Sequence, residues 1–262
     1  MNIFDELSWR GLVHQASDEA GLREHCDTPG RVLYCGFDPT ADSLHIGNLV
    51  PLLALARFAR AGHKPLFLLG GATGLIGDPS GKDKERQLRT VESVAASAER
   101  IRAQAMGFFD RLGVAEAVTP VNNLDWTREL SILELLRDTG KHFTINYMMA
   151  KDSVKSRISR EETGISYTEF SYMILQAFDF YTLHSRHGCT LQIGGGDQFG
   201  NITAGLELIR RKNAGPAYGL TFPLITTATG AKFGKSEKGA IYLDPELTSP
   251  YAFYQYWVNA DD

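Results

Sequence analysis

Cysteine is scarce in this chain. Cys26, Cys35 and Cys189 are odd in number, and none belongs to a Cys-x-x-Cys pair. That excludes a disulfide framework or a zinc ribbon and points to a reduced compartment. The opening Met1-Asn2-Ile3-Phe4-Asp5-Glu6 lacks the basic start and apolar core of a secretory signal, and no apolar stretch reaches bilayer length. A cytoplasmic protein with no membrane association is expected. Excess positive charge is missing too. The formal net charge is −4, so any contact with nucleic acid must come from local patches and not from the field of the whole molecule. No Ser-His-Asp set, paired catalytic carboxylates or metal-ligand cluster stands out. What the chain does have is 262 residues, 43% of them hydrophobic and 22% charged, the composition of a globular protein with one large core.

Strands read as continuous apolar runs and alternate with helical patterns, which gives an α/β domain with a buried parallel sheet. The strand candidates are Arg31 to Phe37, Pro65 to Leu69, Thr190 to Gly194 and Leu220 to Thr227. Helical spacing covers Ile3 to Ala16, His45 to Ala61 with Gly62 as C-cap, Val91 to Leu112 before Gly113, Arg128 to Thr139 before Gly140, and Tyr167 to His184.

The segment Tyr34-Cys35-Gly36-Phe37-Asp38-Pro39-Thr40-Ala41-Asp42-Ser43-Leu44-His45-Ile46-Gly47-Asn48 is a strand, a tight loop and a helix start. Such a junction presents unpaired backbone N–H groups and a positive helix end, which favour phosphate. Gly36 and Gly47 allow a ligand close to the backbone. An ordinary strand-to-helix turn has the same shape. Downstream, Lys232-Phe233-Gly234-Lys235-Ser236 lies in a lysine- and glycine-rich loop, either a solvated surface loop or one that closes over polyphosphate.

Gly70 to Lys82 is glycine-rich but fits neither nucleotide fingerprint. Ile76 stands where the first Walker A glycine belongs, Asp83 follows Lys82 in place of Ser or Thr, and the dinucleotide spacing is absent. Asp78 is a carboxylate just past a strand end, where open α/β sheets hold their ligands. On the segment from Tyr167, Tyr172, Gln176 and Asp179 fall at i, i+4 and i+7. Solvent-facing stripes are usually richer in Lys and Arg, so this one is expected to face a cavity. Asp197, in Gly194-Gly195-Gly196-Asp197-Gln198, suits either a ribose or a helix cap.

Taken together, His45-Ile46-Gly47-Asn48 and Lys232 to Ser236 resemble the two signatures of class I aminoacyl-tRNA synthetases. Tyr34, Asp38, Thr40 and Gly195-Gly196-Asp197-Gln198 look like the bacterial-type tyrosyl-tRNA synthetases, over essentially the whole chain. The resemblance implies a Rossmann-like parallel sheet flanked by helices, with a helical insertion between its halves. It also implies one catalytic domain over residues 1–262, with about 120–165 as connective and dimer region, and with the anticodon-recognising and C-terminal RNA-binding domains outside this chain.

The implied activity is tyrosine activation by ATP with Mg2+, giving tyrosyl-adenylate and pyrophosphate, followed in the full-length enzyme by transfer to tRNA(Tyr). The partners are tyrosine, ATP, tRNA(Tyr) and a second copy in a homodimer, with no tightly bound metal. By resemblance Tyr34 and Asp179 hold the substrate phenol, and Asp78, Tyr172 and Gln176 its amino group. Gln198 lies near the carboxylate and α-phosphate, and Gln192 in the pocket. Gly36, Asp38, Gly47, Gly195, Asp197 and Lys235 bind ATP. Thr40, His45, Asn48, Lys82, Arg86, Lys232, Lys235 and Ser236 act on the phosphates, with Asn48 standing where the usual second histidine would be. Such chemistry needs no protein nucleophile: the substrate carboxylate attacks the α-phosphorus itself, and catalysis rests on alignment and charge stabilisation.

The region from Trp126 to Met149, with Phe143, Tyr147, Met148 and Met149 as anchors, is the implied dimer contact, though ordinary core burial explains these side chains equally well. Lys151, Lys155, Arg157 and Arg160 form a basic stretch, either a solvated loop or a contact for the acceptor arm. A tryptophan-specific relative, a small-molecule adenylyltransferase of the same superfamily and a non-catalytic RNA-binding derivative are the competing readings. Tyr34 with Asp179 favours a substrate bearing a phenol.

Overall fold

Val32–Phe37 (β2) alternates its side chains across the sheet as a strand must: Leu33, Cys35 and Phe37 enter one core cluster with Phe67 and Leu69, whereas Tyr34 joins a second with Leu66, Leu68 and Phe180 on the opposite face. The computed structural model describes residues 2–80, 88–151, 154–155, 158, 164–226, 235–236 and 239–260. β2 lies at the centre of a six-stranded sheet of order β1-β6-β5-β2-β3-β4, made by Gln15–Ala16 (β1), β2, Lys64–Leu69 (β3), Thr119–Asn122 (β4), Cys189–Gly195 (β5) and Tyr218–Phe222 (β6). All its pairings are parallel except that of β1 with β6. The expected α/β, Rossmann-like class is borne out.

The chain turns from β2 to β3 on one side and returns through β5 on the other. The crevice opened by that reversal, beyond the carboxyl ends of β2 and β5, is where open α/β sheets bind ligands. On one face pack Leu49–Arg60 (α3) and Val91–Arg111 (α5), which bury Leu52, Phe58, Ile101 and Phe109. On the other lie Tyr167–His187 and Phe199–Arg211, named α9 and α10 below, which pack against each other. Here Gly205 lets them approach: a Cβ on it would meet the Phe180 ring at 2.8 Å.

Several local expectations are corrected. The first helix is Ile3–Trp9 (α1) and does not reach Ala16: Gly11 adopts φ +68°, and Gln15 and Ala16 pair with Thr221 and Leu220 as an edge strand. Glu19–Asp27 (α2), capped by the Asp18 carboxylate, was not expected. Near His45 the chain makes a 3-10 turn, Ile46–Asn48, before α3 begins. Gly62 closes α3 with φ +84°, as anticipated.

A single turn, Thr73–Ile76 (α4), sits inside the glycine-rich loop. The helix expected over Arg128 to Thr139 is instead broken into Leu124–Thr127 (α6), Ile132–Glu134 (α7), a π turn Leu135–Thr139 and a 3-10 turn Gly140–His142, ahead of Ile145–Met149 (α8). Ser131 restarts the chain there with a capping box to Glu134, and Gly140 is right-handed, not a left-handed C-cap. β6 stops at Phe222, because Pro223 has no N–H to continue a ladder. The hairpin Lys235–Ser236 (β7) and Gly239–Ala240 (β8) and the terminal helix Pro250–Val258 (α11) complete the described chain.

Candidate active site

A cleft of about 610 Å³ opens over the carboxyl ends of the central strands. Tyr34 is fully buried at its floor, and its sheet neighbour in register on β5 is Gln192, so the two side chains lie on the same face. Among the described residues, Tyr34 Oη and Gln192 Oε1 have no hydrogen-bond partner. A buried polar atom left unpaired costs on the order of 1–3 kcal/mol, so two of them side by side at a cleft floor point to a polar ligand group.

Asp179 reaches the same floor from α9. Its Oδ1 accepts from Trp126 Nε1 at 2.7 Å and its Oδ2 from Asn123 Nδ2 at 2.9 Å. Burial is the strongest influence and, with the nearby Asp38 carboxylate, outweighs these two donors, so the Asp179 pKa is pushed up to about 7. Burial, and then the Asp179 charge, likewise raise the Tyr34 phenol.

The wall is a connected polar network. Asp38 Oδ2 accepts from Tyr172 Oη at 2.9 Å and its Oδ1 from Thr73 Oγ1 at 2.7 Å. Asn123 Nδ2 also donates to Thr73 Oγ1 at 2.9 Å, which joins the Asp38 and Asp179 ends. Farther along, Asp78 Oδ2 accepts from Gln198 Nε2 at 2.6 Å and Oδ1 from the Ser80 N–H at 2.9 Å, while Gln176 Nε2 donates to Gln198 Oε1 at 3.2 Å. Asn201 Nδ2 lies 3.2 Å from Gln198 Oε1. Asp38, Asp78, Asp179 and Asp197 all line the cleft, and four carboxyl groups there suit it to a cationic amine.

At the rim, the His45 N–H donates to Asn48 Oδ1 at 2.9 Å, and Nδ1 accepts from the Gly47 N–H at 3.1 Å. That acceptor role puts the proton of a neutral ring on Nε2, a donor at the cleft edge. A Cβ on Gly47 would come within 2.9 Å of His45 Cε1, so glycine keeps the ring where it is. The two flanking peptides are tied to the segment that follows β8: Ile46 N–H donates to Ile241 O at 2.9 Å, and Leu243 N–H to Leu44 O at 2.8 Å. The His45 turn is therefore joined to the segment that leaves the lysine-bearing hairpin.

Of the residues expected at a site, Tyr34, Gly36, Asp38, His45, Gly47, Asn48, Asp78, Tyr172, Gln176, Asp179, Gln192, Gly195, Asp197 and Gln198 all line this cleft. Thr40 is exposed on the neighbouring loop and is not among the lining residues. Lys82, Arg86 and Lys232 lie outside the described residues, as do Arg157 and Arg160; for Lys235 and Ser236 the description extends to the backbone of β7.

Sequence reasoning missed Thr73, Asn123 and Asn201, isolated polar residues without any motif. Trp126, expected at the edge of a dimer contact, is buried against Asp179. Phe143 and Met148 are also buried in the fold, whereas Met149 is exposed along with Ile132, Leu133, Leu136 and Ile145. Lys151 Nζ donates to Thr203 Oγ1 at 2.9 Å and lies 4.3 Å from the Tyr147 ring centre.

Residues 29–262 match the model of the family described as tRNA synthetases class I (W and Y). The tyrosine–tRNA ligase of Bacillus caldotenax is 59% identical, across 100% of this chain and 62% of its own length. That of Roseiflexus castenholzii is 58% identical, across 99% and 61%. A C-terminally truncated mitochondrial tyrosyl-tRNA synthetase of Aspergillus nidulans superposes with TM-score 0.86 at 31% identity, across 100% of this chain and 77% of that one. The chain thus spans about 62% of the length of the curated relatives it matches. From signatures, fold and similarity alike, it belongs to the class I tRNA synthetases (W and Y), among those of bacterial tyrosyl type.

Proposed function

We propose that this chain is the amino-acid-activating core of a tyrosine–tRNA ligase, which joins L-tyrosine to ATP as tyrosyl-adenylate and releases pyrophosphate. The reading is carried by the cleft floor: the unpartnered Tyr34 Oη and Gln192 Oε1 beside the Asp179 carboxylate. A substrate phenol donates its proton to Asp179 and accepts from Tyr34, which gives the Tyr34 hydroxyl a partner, while Gln192 Oε1 remains an acceptor for a second donor of the ligand. Asp78, Tyr172 and Gln176 receive the ammonium group, and Gln198 lies next to the substrate carboxylate. That carboxylate is already ionised and attacks the α-phosphorus of ATP; the bond to the pyrophosphate oxygen breaks, and pyrophosphate leaves with the electron pair.

ATP enters as its magnesium complex, so the metal belongs to the substrate. Asp197, with Gly36, Asp38, Gly47 and Gly195, holds the nucleoside. His45 and Asn48, with Thr40, Lys82, Arg86, Lys232, Lys235 and Ser236, stabilise the negative charge that grows on the phosphates. The acceptor of the activated tyrosine is tRNA(Tyr) in the whole enzyme. The exposed Ile132, Leu133, Leu136, Ile145 and Met149 support a homodimer, since large apolar side chains gathered on a surface favour a protein partner. No helix among the described residues is long and apolar enough to cross a membrane, and the cytoplasm is the proposed location.

The test is ATP–pyrophosphate exchange with tyrosine, phenylalanine and tryptophan in turn. Strong exchange with tyrosine alone is expected; preference for tryptophan, or no exchange with any of them, overturns the reading.

The elevated Asp179 pKa adds a pH dependence. Below about pH 7 the Asp179 carboxyl holds a proton, which a phenol must displace in order to donate its own. Tyrosine affinity is therefore expected to fall about tenfold between pH 8 and pH 6. Phenylalanine, which has no hydroxyl, is expected to bind equally at both. Equilibrium binding at the two pH values measures this, and an unchanged tyrosine affinity counts against it.

A further inference from the structure

The loop that delivers His45 is anchored from behind by α5 and by Arg89 just before it, through side chains that do not line the cleft. Arg89 donates to Pro39 O at 2.7 Å and to Ser97 Oγ at 2.9 Å. Ser97 in turn donates to Asp42, which also accepts from Arg100 at 2.7 Å. Gln104 makes the contact nearest to His45. Its Oε1 accepts the Leu44 N–H at 2.9 Å, and its Nε2 donates to Ser43 Oγ at 3.0 Å. Ser97, Arg100 and Gln104 recur at helical spacing, so one stripe of α5 holds Asp42, Ser43 and Leu44 in succession.

Leu44 immediately precedes His45, and both of its backbone polar groups are taken. Its N–H goes to Gln104, and its C=O accepts from the Leu243 N–H at 2.8 Å. Ser43 and Leu44 are themselves buried, at 4% and 3% exposure, so a lost carboxamide leaves an amide that water cannot easily satisfy. We propose that Gln104 is a positioning residue for amino-acid activation: by gripping the peptide before His45 against the segment that follows the lysine-bearing hairpin, it fixes the imidazole relative to the phosphates. The catalytic part of this inference rests on the tyrosine-activating reading above, whereas the loop-fixing part does not.

The test compares Gln104→Met, of similar volume but unable to make these hydrogen bonds, with Gln104→Glu, which keeps an acceptor for the Leu44 N–H. Two properties are measured: amide hydrogen exchange at Leu44 and Ile46, which requires no catalysis, and pyrophosphate exchange set beside equilibrium tyrosine binding. In Gln104→Met, protection at both amides and kcat are each expected to fall about tenfold or more, with the tyrosine dissociation constant within about twofold of the parent. Gln104→Glu is expected to recover most of both losses.

Unchanged protection overturns the proposal. So does tyrosine affinity that falls in step with kcat, or a glutamate variant no better than methionine. If the methionine chain does not fold, Ser43→Ala, which removes the hydroxyl that accepts from Gln104 Nε2 and itself donates to Leu44 O at 2.8 Å, is expected to lower the same protection by about threefold, and full protection there counts against the proposal. A parent chain that shows no exchange with any amino acid refutes the tyrosine-activating reading; the amide protection still decides whether Gln104 fixes the loop.

Discussion

Replacing Asp179 with asparagine is expected to lower the preference for tyrosine over phenylalanine by about two to three orders of magnitude in kcat/KM for pyrophosphate exchange, as loss of a hydrogen bond to a buried charged group implies. The surroundings of Asp179 explain the size of the effect. Trp126 Nε1 and Asn123 Nδ2 both donate to this side chain, one to each oxygen. An asparagine has a single acceptor oxygen, so its own amide must face one of those donors, and whichever way it turns it serves a phenol poorly.

Phenylalanine makes no demand on this site, and its turnover is expected to hold steady or rise. Tyr34→Phe is expected to cost less, about tenfold in the same ratio, since it removes a neutral partner. The measurement is exchange kinetics with both amino acids. Equal losses for tyrosine and phenylalanine in Asp179→Asn would show that the carboxylate holds the cleft together and does not read the hydroxyl.

These residues differ in how far the sequence revealed them. Tyr172, Gln176 and Asp179 were legible because they share one helix face, and a stripe that is polar but lacks Lys and Arg is unusual on a solvent-facing surface. Those three do face the cleft. Asn123 and Trp126 were not legible. They lie in a stretch where the helix is interrupted, so no period marks which side is inward, and their partner is more than fifty residues away in sequence.

The same limit hid β1: two residues with no apolar alternation become a strand because the backbone edge of β6 accepts them. The overlong first helix failed for a related reason. Leu12 and Val13 continue an apolar spacing but pack on the core from an extended segment beyond Gly11. Parallel strands, by contrast, are buried on both faces and announce themselves as continuous apolar runs, as Lys64–Leu69 does with five buried positions in succession. Thr40 shows that a motif does not fix where each of its side chains lies. It sits within the signature loop, yet its exposed position two residues beyond Asp38 leaves it off the cleft surface that its neighbours form.

His45→Ala is expected to slow adenylate formation by about 10²- to 10³-fold, the usual loss when one preorganised donor to a developing negative charge is removed, and to leave tyrosine affinity within about twofold. The asymmetry follows from position. Tyr34, Gln192 and Asp179, the groups proposed to read tyrosine, lie on the buried floor, whereas His45 is exposed at the rim, where its Nδ1 is engaged by the Gly47 N–H and a neutral ring carries its proton on Nε2. On the proposed reading a donor at the rim meets the phosphates, and those charges grow as the bond to pyrophosphate breaks, so its contribution appears in the transition state and hardly at all in the tyrosine complex. Alanine also removes the acceptor for the Gly47 N–H, so part of the loss belongs to the turn. His45→Asn separates the two contributions, because its side-chain oxygen can cap the Gly47 N–H while its amide can still donate, and it is expected to recover about a tenth of the lost rate or more. Single-turnover rates of adenylate formation, set against equilibrium tyrosine binding for all three chains, measure the split. If binding weakens as much as the rate falls, His45 supports the ground state and the assignment of the rim to transition-state charge fails.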